Sequence, residues 1–86
     1  METMIKKTQV ISDARYRLAD ILVDVSWREI ARRYFGKSSS WLYHKLDGIK
    51  GDGSYGGGLT TAEAEQLRSA LNDLAARINN AASKLQ

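Results

Sequence analysis

Few side chains in this 86-residue chain have the chemistry of an active site, and most of them lie in one short segment. Ser38, Ser39 and Ser40 form a run of hydroxyl groups, and the only histidine, His44, follows four residues later. A catalytic histidine needs a nucleophile or a carboxylate beside it, and the sequence places neither beside His44. The chain has no cysteine, so sulfur ligands for a metal are lacking as well. We therefore expect a protein that is not an enzyme and that uses no metal and no cofactor.

The same segment carries the positive charge of the protein. Basic and acidic residues are equal in number in residues 1–24, in residues 49–58 and in residues 59–86. Residues 25–48 contain five basic and two acidic residues, so they account for the whole net charge of +3. The basic residues are Arg28, Arg32, Arg33, Lys37 and Lys45. Charges on small helices usually form a solvated face, but a segment that holds all of the excess charge is typical of a nucleic-acid-binding surface.

The first half of this basic segment is predicted to form a short helix. Ser26 and Glu29 have the spacing of a capping box, in which the serine hydroxyl and the glutamate carboxylate accept hydrogen bonds from backbone amides, so the helix begins at Trp27. We also expect Glu29 to pair with Arg33, four residues further along the helix. Gly36 is predicted to end the helix, because glycine adopts the left-handed backbone conformation without penalty.

The second half is predicted to form another short helix over residues 41–47. Ser38 to Ser40 supply hydroxyls for its N-cap, Leu42 and Leu46 form its inward face, and Gly48 closes it. Two helices joined by a turn of three to four residues indicate a helix-turn-helix over residues 25–48.

The N-terminal part of the chain is predicted to be one amphipathic helix. Residues 1–7 are polar and are expected to be frayed. From Thr8 to Val25 the apolar residues recur at spacings of three and four, which indicates one helical stripe. The residues of this stripe are Ile11, Ala14, Leu18, Ile21, Leu22 and Val25.

Residues 49–58 contain five glycines and are predicted to form a loop. The run from Gly51 to Gly56 matches the pattern G-x-G-x-x-G, but no strand is predicted before it, and a dinucleotide site requires that strand. We expect this loop to be a mobile linker.

Residues 60–85 are predicted to form a long helix with a second capping box at Thr60 and Glu63. Its apolar residues repeat at alternating spacings of four and three, as in a coiled coil. They are Leu67, Leu71, Leu74, Ile78, Ala81 and Leu85. The helix is longer than the rest of the chain requires, so its end is either frayed or part of a homodimer contact.

The composition indicates a single domain over residues 1–86. No apolar stretch reaches the roughly 20 residues needed to span a bilayer, and the N-terminus lacks the apolar run of a signal peptide. We therefore expect a cytoplasmic protein that does not bind membranes.

A wider set of residues has an order that occurs in a known family. The set is Val25, Ser26, Glu29, Ile30, Ala31, Leu42, Leu46, Asp47, Gly48, Leu59, Thr60, Ala70 and Leu71. In this order the chain resembles the Cro/C1-type helix-turn-helix domains of phage repressors, antitoxins and bacterial regulators, from about residue 8 to residue 74. The segment WREIARRYFGKSSSWLYHKLDG also resembles a group of short bacterial proteins without an assigned function. The resemblance implies an all-α, lambda-repressor-like domain of four to five helices with a long C-terminal helix.

The resemblance also implies which residues contact DNA. The two helices of residues 25–48 form what we call the hairpin. Its second helix would enter the major groove, and its first helix would cross the phosphate backbone. The implied DNA-binding residues are Arg28, Lys37, Ser38, Ser39, Ser40, Trp41, Tyr43, His44 and Lys45. Of these, the two lysines and the arginine suit phosphates, whereas Trp41 suits either a thymine methyl group or packing on a neighbouring helix. Serines bond to almost any base, so we expect weak sequence readout.

The expected function is double-stranded DNA binding by a transcriptional regulator or an antitoxin-type repressor. The alternative is a protein-protein interaction module that has the same fold and binds a partner through its third and fourth helices. One departure from the family pattern bears on both. Four residues, 32–35, separate Ala31 from Gly36, where the family usually has three, so either the helix is longer or the turn is wider.

Overall fold

The computed structural model describes residues 10–49 and 56–86, which are predominantly helical. The expected frayed end at residues 1–7, most of the glycine-rich loop and most of the G-x-G-x-x-G run lie outside these residues. In chain order the elements are β1 (Val10–Ile11), α1 (Ala14–Arg17), a 3₁₀ turn (Ala19–Ile21), α2 (Trp27–Ile30), a π-helical turn (Ala31–Phe35), α3 (Ser39–Asp47), β2 (Leu59–Thr60) and α4 (Thr61–Ser83). Within these residues no helix combines the length and the apolarity needed to cross a membrane.

The single helix expected from Thr8 to Val25 is wrong. In its place the chain forms the short strand β1, the four-residue helix α1 and the 3₁₀ turn. The apolar residues of the expected stripe still face the core from these short elements. The spacing therefore identified the buried side chains correctly, but short turns satisfy that spacing as well as a continuous helix does.

A pair of two-residue strands departs from the expected all-α fold. β1 and β2 are antiparallel, and Val10 pairs with Thr60 while Ile11 pairs with Leu59. The strand β2 directly precedes α4, so this pairing fixes the start of the long helix against the N-terminal segment. The fold is mostly helical, with this one strand pair in the described residues.

The core lies where α2, α3 and the first half of α4 meet. Its fully buried side chains of largest volume are Trp27, Leu42 and Leu46. The Trp27 indole Nε1 donates a hydrogen bond to the Leu22 carbonyl oxygen at 2.7 Å, so the polar atom of this buried ring is satisfied. This contact ties the start of α2 to the N-terminal segment.

The extra residue before Gly36 is accommodated by the π-helical turn. α2 and this turn form one continuous helical segment, but the turn is wider than an α-helix and closes on the Ala31 carbonyl oxygen. The amides of Gly36 and Lys37 both donate to that oxygen, the second at 3.0 Å. Of the two expectations, the longer helix is the one observed, because the helical segment continues to Phe35 and only residues 36–38 separate it from α3. Gly36 ends the segment in the left-handed conformation with φ 65°, as predicted.

Candidate nucleic-acid interface

The helix α3 exposes one uncharged face. Ser38 is its N-cap, and the Ser38 hydroxyl accepts a hydrogen bond from the Trp41 amide at 3.2 Å. Because Leu42 and Leu46 are fully buried, the opposite side of α3 faces solvent. The side chains exposed there are Ser40, Tyr43 and His44, while Ser39 is half-buried. The structure thus brings three of the implied DNA-binding residues onto one face.

Trp41 lies at the edge of this face and packs within the hairpin. Its ring centroid is 5.2 Å from that of Phe35, which ends the π-helical turn. The ammonium groups of Lys37 and Lys45 lie 5.8 and 5.6 Å from the Trp41 ring centroid, within the range of cation-π attraction. Trp41 therefore positions two of the proposed phosphate-binding lysines, and its half-buried ring makes the packing contact that the sequence left open as an alternative.

Ion pairs within the described residues leave the hairpin with excess positive charge. Six pairs join six basic residues to six acidic residues. Four basic residues have no partner among the described carboxylates, and three of them, Arg28, Arg33 and Lys37, belong to the hairpin. The fourth is Lys84, near the end of α4. All three hairpin cations are exposed.

Arg33 is without a described partner because Glu29 pairs with Arg32. The Arg32 guanidinium donates to the Glu29 carboxylate at 2.8 Å, so the expected pairing with Arg33 is wrong. The hydrogen bond from Arg32 lowers the pKa of Glu29, and the same bond raises the pKa of Arg32. Residues three and four positions apart are both neighbours on a helix, and here the contact forms with Arg32, three residues on, rather than with Arg33, four residues on. Arg33 is not among the DNA-binding residues that the resemblance implies, although the charge count already places it in the basic segment.

Lys45 is engaged by a carboxylate of α4. Its ammonium lies 3.0 Å from the Glu63 carboxylate, and both side chains are largely buried. Burial raises the pKa of Glu63, but the hydrogen bonds from the Thr60 amide and from Lys45 outweigh it, and the net effect lowers the pKa. Lys45 therefore presents less free charge to a phosphate than the sequence suggests.

Tyr34 fixes the hairpin to α4. The side chain of Gln66 donates to the Tyr34 carbonyl oxygen at 2.7 Å. The Tyr34 hydroxyl donates to the Asp73 carboxylate and accepts a hydrogen bond from Arg77 at 2.9 Å. These contacts join the π-helical turn to α4 at three points over about three helical turns, from Gln66 to Arg77.

The described residues contain no group of three or more histidine and acidic side chains arranged to hold a metal ion. The fold and this site define a small, mostly helical domain whose excess positive charge lies on a helical hairpin. Residues 14–85 match a family described as a domain of unknown function (DUF5053), and the chain belongs to that family. The chain has no significant match to a curated protein or to a solved structure.

Proposed function

We propose that this protein binds double-stranded DNA without enzymatic activity, as a cytoplasmic regulator of transcription or of a mobile element. The observation that carries the proposal is the set of three exposed hairpin cations, Arg28, Arg33 and Lys37, that lack a described carboxylate partner. Cations that are not neutralised within the protein are those that release counterions from DNA phosphates. The resemblance of the hairpin to Cro/C1-type domains supports the same function.

The exposed face of α3 supplies the groove contacts in this proposal. Ser40, Tyr43 and His44 would face base edges, while Lys37 and the amides at the start of α3 would contact phosphates. None of the three makes the bidentate contact to guanine or adenine that arginine, asparagine or glutamine makes. We therefore propose weakly specific binding in which phosphate contacts supply most of the affinity.

The number of free cations sets the expected salt dependence. With Lys45 paired to Glu63, about three to four phosphates are neutralised, so the slope of log affinity against log salt is about −3. This slope is a modest one, and binding is expected to be readily measurable only at low salt.

A second candidate function is a protein-protein interaction module on the same fold. The observation that favours it is the uncharged face of α3, where Tyr43 is 40% exposed beside Ser40 and His44. Aromatic side chains on a neutral surface are typical of the centre of a protein interface. In this function the hairpin cations would only border the contact.

The test is fluorescence anisotropy of a labelled random-sequence duplex titrated at low and moderate salt. We expect salt-sensitive binding that Lys37→Glu weakens at least about tenfold and whose salt slope it shallows by roughly one to two. The matched control is Lys84→Glu, which makes the same charge change outside the hairpin at another exposed lysine. We expect Lys84→Glu to retain most of the affinity.

Two results would count against the DNA proposal. Absence of binding at tens of micromolar protein in low salt would favour a protein partner instead. Equal losses from Lys37→Glu and Lys84→Glu would show that only overall charge matters and that the hairpin is not the contact surface.

A further inference from the structure

The apolar stripe of α4 is buried in its first half and exposed in its second. Leu67 is 4% exposed, and Leu71 and Leu74 are half-buried against the core. Further along the same stripe, Ile78 is 58% exposed and Leu85 is 88% exposed. The face that holds the helix to the body therefore continues beyond the body as an unpartnered apolar surface, which we call the distal stripe. It comprises Ile78, Ala81 and Leu85, which are exposed, together with Leu74, which is half-buried at the edge of the body.

We propose that two copies of this chain associate through their distal stripes, with the two α4 helices antiparallel and the two bodies at opposite ends. This proposal is independent of DNA binding. In this arrangement the second copy covers the apolar side chains that the single chain leaves exposed on the distal half of α4.

The spacing of the distal stripe fits a second copy of itself. Its residues alternate at four and three, as the d and a positions of a heptad do. In an antiparallel pair, each a residue of one helix lies against a d residue of the other. Leu74 then lies against Leu85 of the second copy, and Ile78 lies against its Ala81. Each of these two contacts occurs twice in the pair, because the two copies are related by symmetry. The resulting four layers contain only apolar side chains.

The position of the body excludes the parallel arrangement. The first half of α4 packs on the core through the same face that the distal stripe continues. In a parallel pair, both bodies would lie between the two helices at the same height, where they would occupy the same space. In an antiparallel pair the two bodies lie at opposite ends, and only the last turn of each helix reaches the edge of the other body, near Leu74 and Arg77.

The residues that flank the distal stripe suit a close but modest contact. Ala75 and Ala82 lie on one side, and side chains this small let two helices approach closely. Arg77 and Lys84 lie on the other side, and Arg77 is already paired with Asp73 and bonded to the Tyr34 hydroxyl. The contact therefore brings together little uncompensated charge, and the association is expected to depend only weakly on salt. DNA binding through the hairpin, in contrast, is expected to weaken as salt rises.

The first experiment is sedimentation equilibrium of the full chain from about ten to several hundred micromolar, at low and moderate salt. We expect a monomer-dimer equilibrium whose dissociation constant rises at least about tenfold in Ile78→Asp and in Leu85→Asp. The control is Val23→Asp, which places the same charge at an apolar residue that is 92% exposed and away from α4. Because all three side chains are exposed, circular dichroism is expected to show unchanged folding in each variant.

The second experiment tests the orientation with single cysteines, which the natural chain lacks. Leu74→Cys and Leu85→Cys are expected to form a mixed disulfide when combined and oxidised. Neither is expected to link to itself, because identical residues lie about 16 Å apart along the axis in the antiparallel pair. Self-linking of Leu85→Cys would overturn the orientation. A chain that stays monomeric throughout, or aspartate variants that associate as the natural chain does, would overturn the interface.

Discussion

The π-helical turn ends at Gly36 and α3 ends at Gly48. The two glycines have the same backbone conformation but different surroundings. Gly36 and Gly48 have φ values of 65° and 73°. A side-chain carbon added at Gly36 would meet no atom within 4 Å, whereas one added at Gly48 would lie 3.1 Å from the Ser12 carbonyl oxygen. The Gly48 carbonyl also accepts hydrogen bonds from the amides of Gly56 and Gly57. At Gly36 only the left-handed backbone conformation favours glycine. At Gly48 the same conformation and the close packing of Ser12 both favour it.

The two capping boxes also differ, because one is complete and the other is half-formed. At α4 both halves form, because the Thr60 hydroxyl accepts from the Glu63 amide and the Glu63 carboxylate accepts from the Thr60 amide. At α2 the Ser26 hydroxyl accepts from the Glu29 amide at 3.4 Å, but the Glu29 carboxylate binds Arg32. The comparison shows that a motif encoded locally is completed where the rest of the chain packs around it. At the start of α2 the capping box stays half-formed, and we call this exposed start the open end of the hairpin.

The largest effect should come from alanine at the two glycines. Gly48→Ala is expected to lower the free energy of unfolding by about 2 to 4 kcal/mol, since left-handed strain adds to the contact with Ser12. Gly36→Ala is expected to cost about 1 kcal/mol, which is the strain alone. Urea unfolding of both variants measures the difference. Equal costs would mean that the packing around Gly48 relaxes freely and that the two ends are equivalent.

Removal of the two N-cap hydroxyls should produce a smaller difference. Thr60→Ala is expected to cost about 1 to 2 kcal/mol, because it leaves the half-buried Glu63 amide without a partner. Ser26→Ala is expected to cost about 0.5 to 1 kcal/mol, because the Glu29 amide that loses the hydroxyl can bond to solvent instead. Thermal and urea unfolding provide the measurement. A larger loss for Ser26→Ala would reverse the comparison between the two caps.

The smallest effect should appear in the acid dependence of stability. The pKa of Glu63 is lowered in the folded state, so the folded protein binds this proton more weakly than the unfolded chain does. Its contribution is complete above the ordinary glutamate pKa and is lost as the pH falls through the lowered value. We expect Glu63→Gln to flatten the decline in stability below about pH 4.5.

Glu29→Gln is the matched control for that experiment. The pKa of Glu29 is also lowered, but by a hydrogen bond from Arg32 at a fully exposed site, where solvent screens the pair. The stability of Glu29→Gln should therefore follow that of the natural chain across the same acid range. A clear flattening in Glu29→Gln would show that the open end of the hairpin is more strongly coupled to folding than its contacts indicate.

Features set by neighbouring residues could be predicted from the sequence. The N-caps at Ser26 and Thr60, and a cap from the serine run 38–40, depend on residues within one turn, and so do the glycine ends at Gly36 and Gly48; only the start of α3, at Ser39 instead of Trp41, differs. These predictions are confirmed because the groups that satisfy the helix ends lie next to them in the chain.

Features set by distant residues could not be predicted. Pairing of Val10 with Thr60 joins segments fifty residues apart, and it replaces the helix that the local spacing favoured. The ion pair of Lys45 with Glu63 reduces the free charge of a site residue through a contact that no local pattern encodes. For the candidate site, the sequence located the charged segment, but tertiary pairing decided which of its cations remain free.

The two tryptophans give the protein a pair of intrinsic fluorescent reporters. Trp27 is 2% exposed and bonded to the Leu22 carbonyl, so its emission should follow the integrity of the core. Trp41 is half-buried between the ammonium groups of Lys37 and Lys45, so its emission should respond to anything that draws those lysines away. Folding and ligand binding can therefore both be followed by intrinsic fluorescence, without a label.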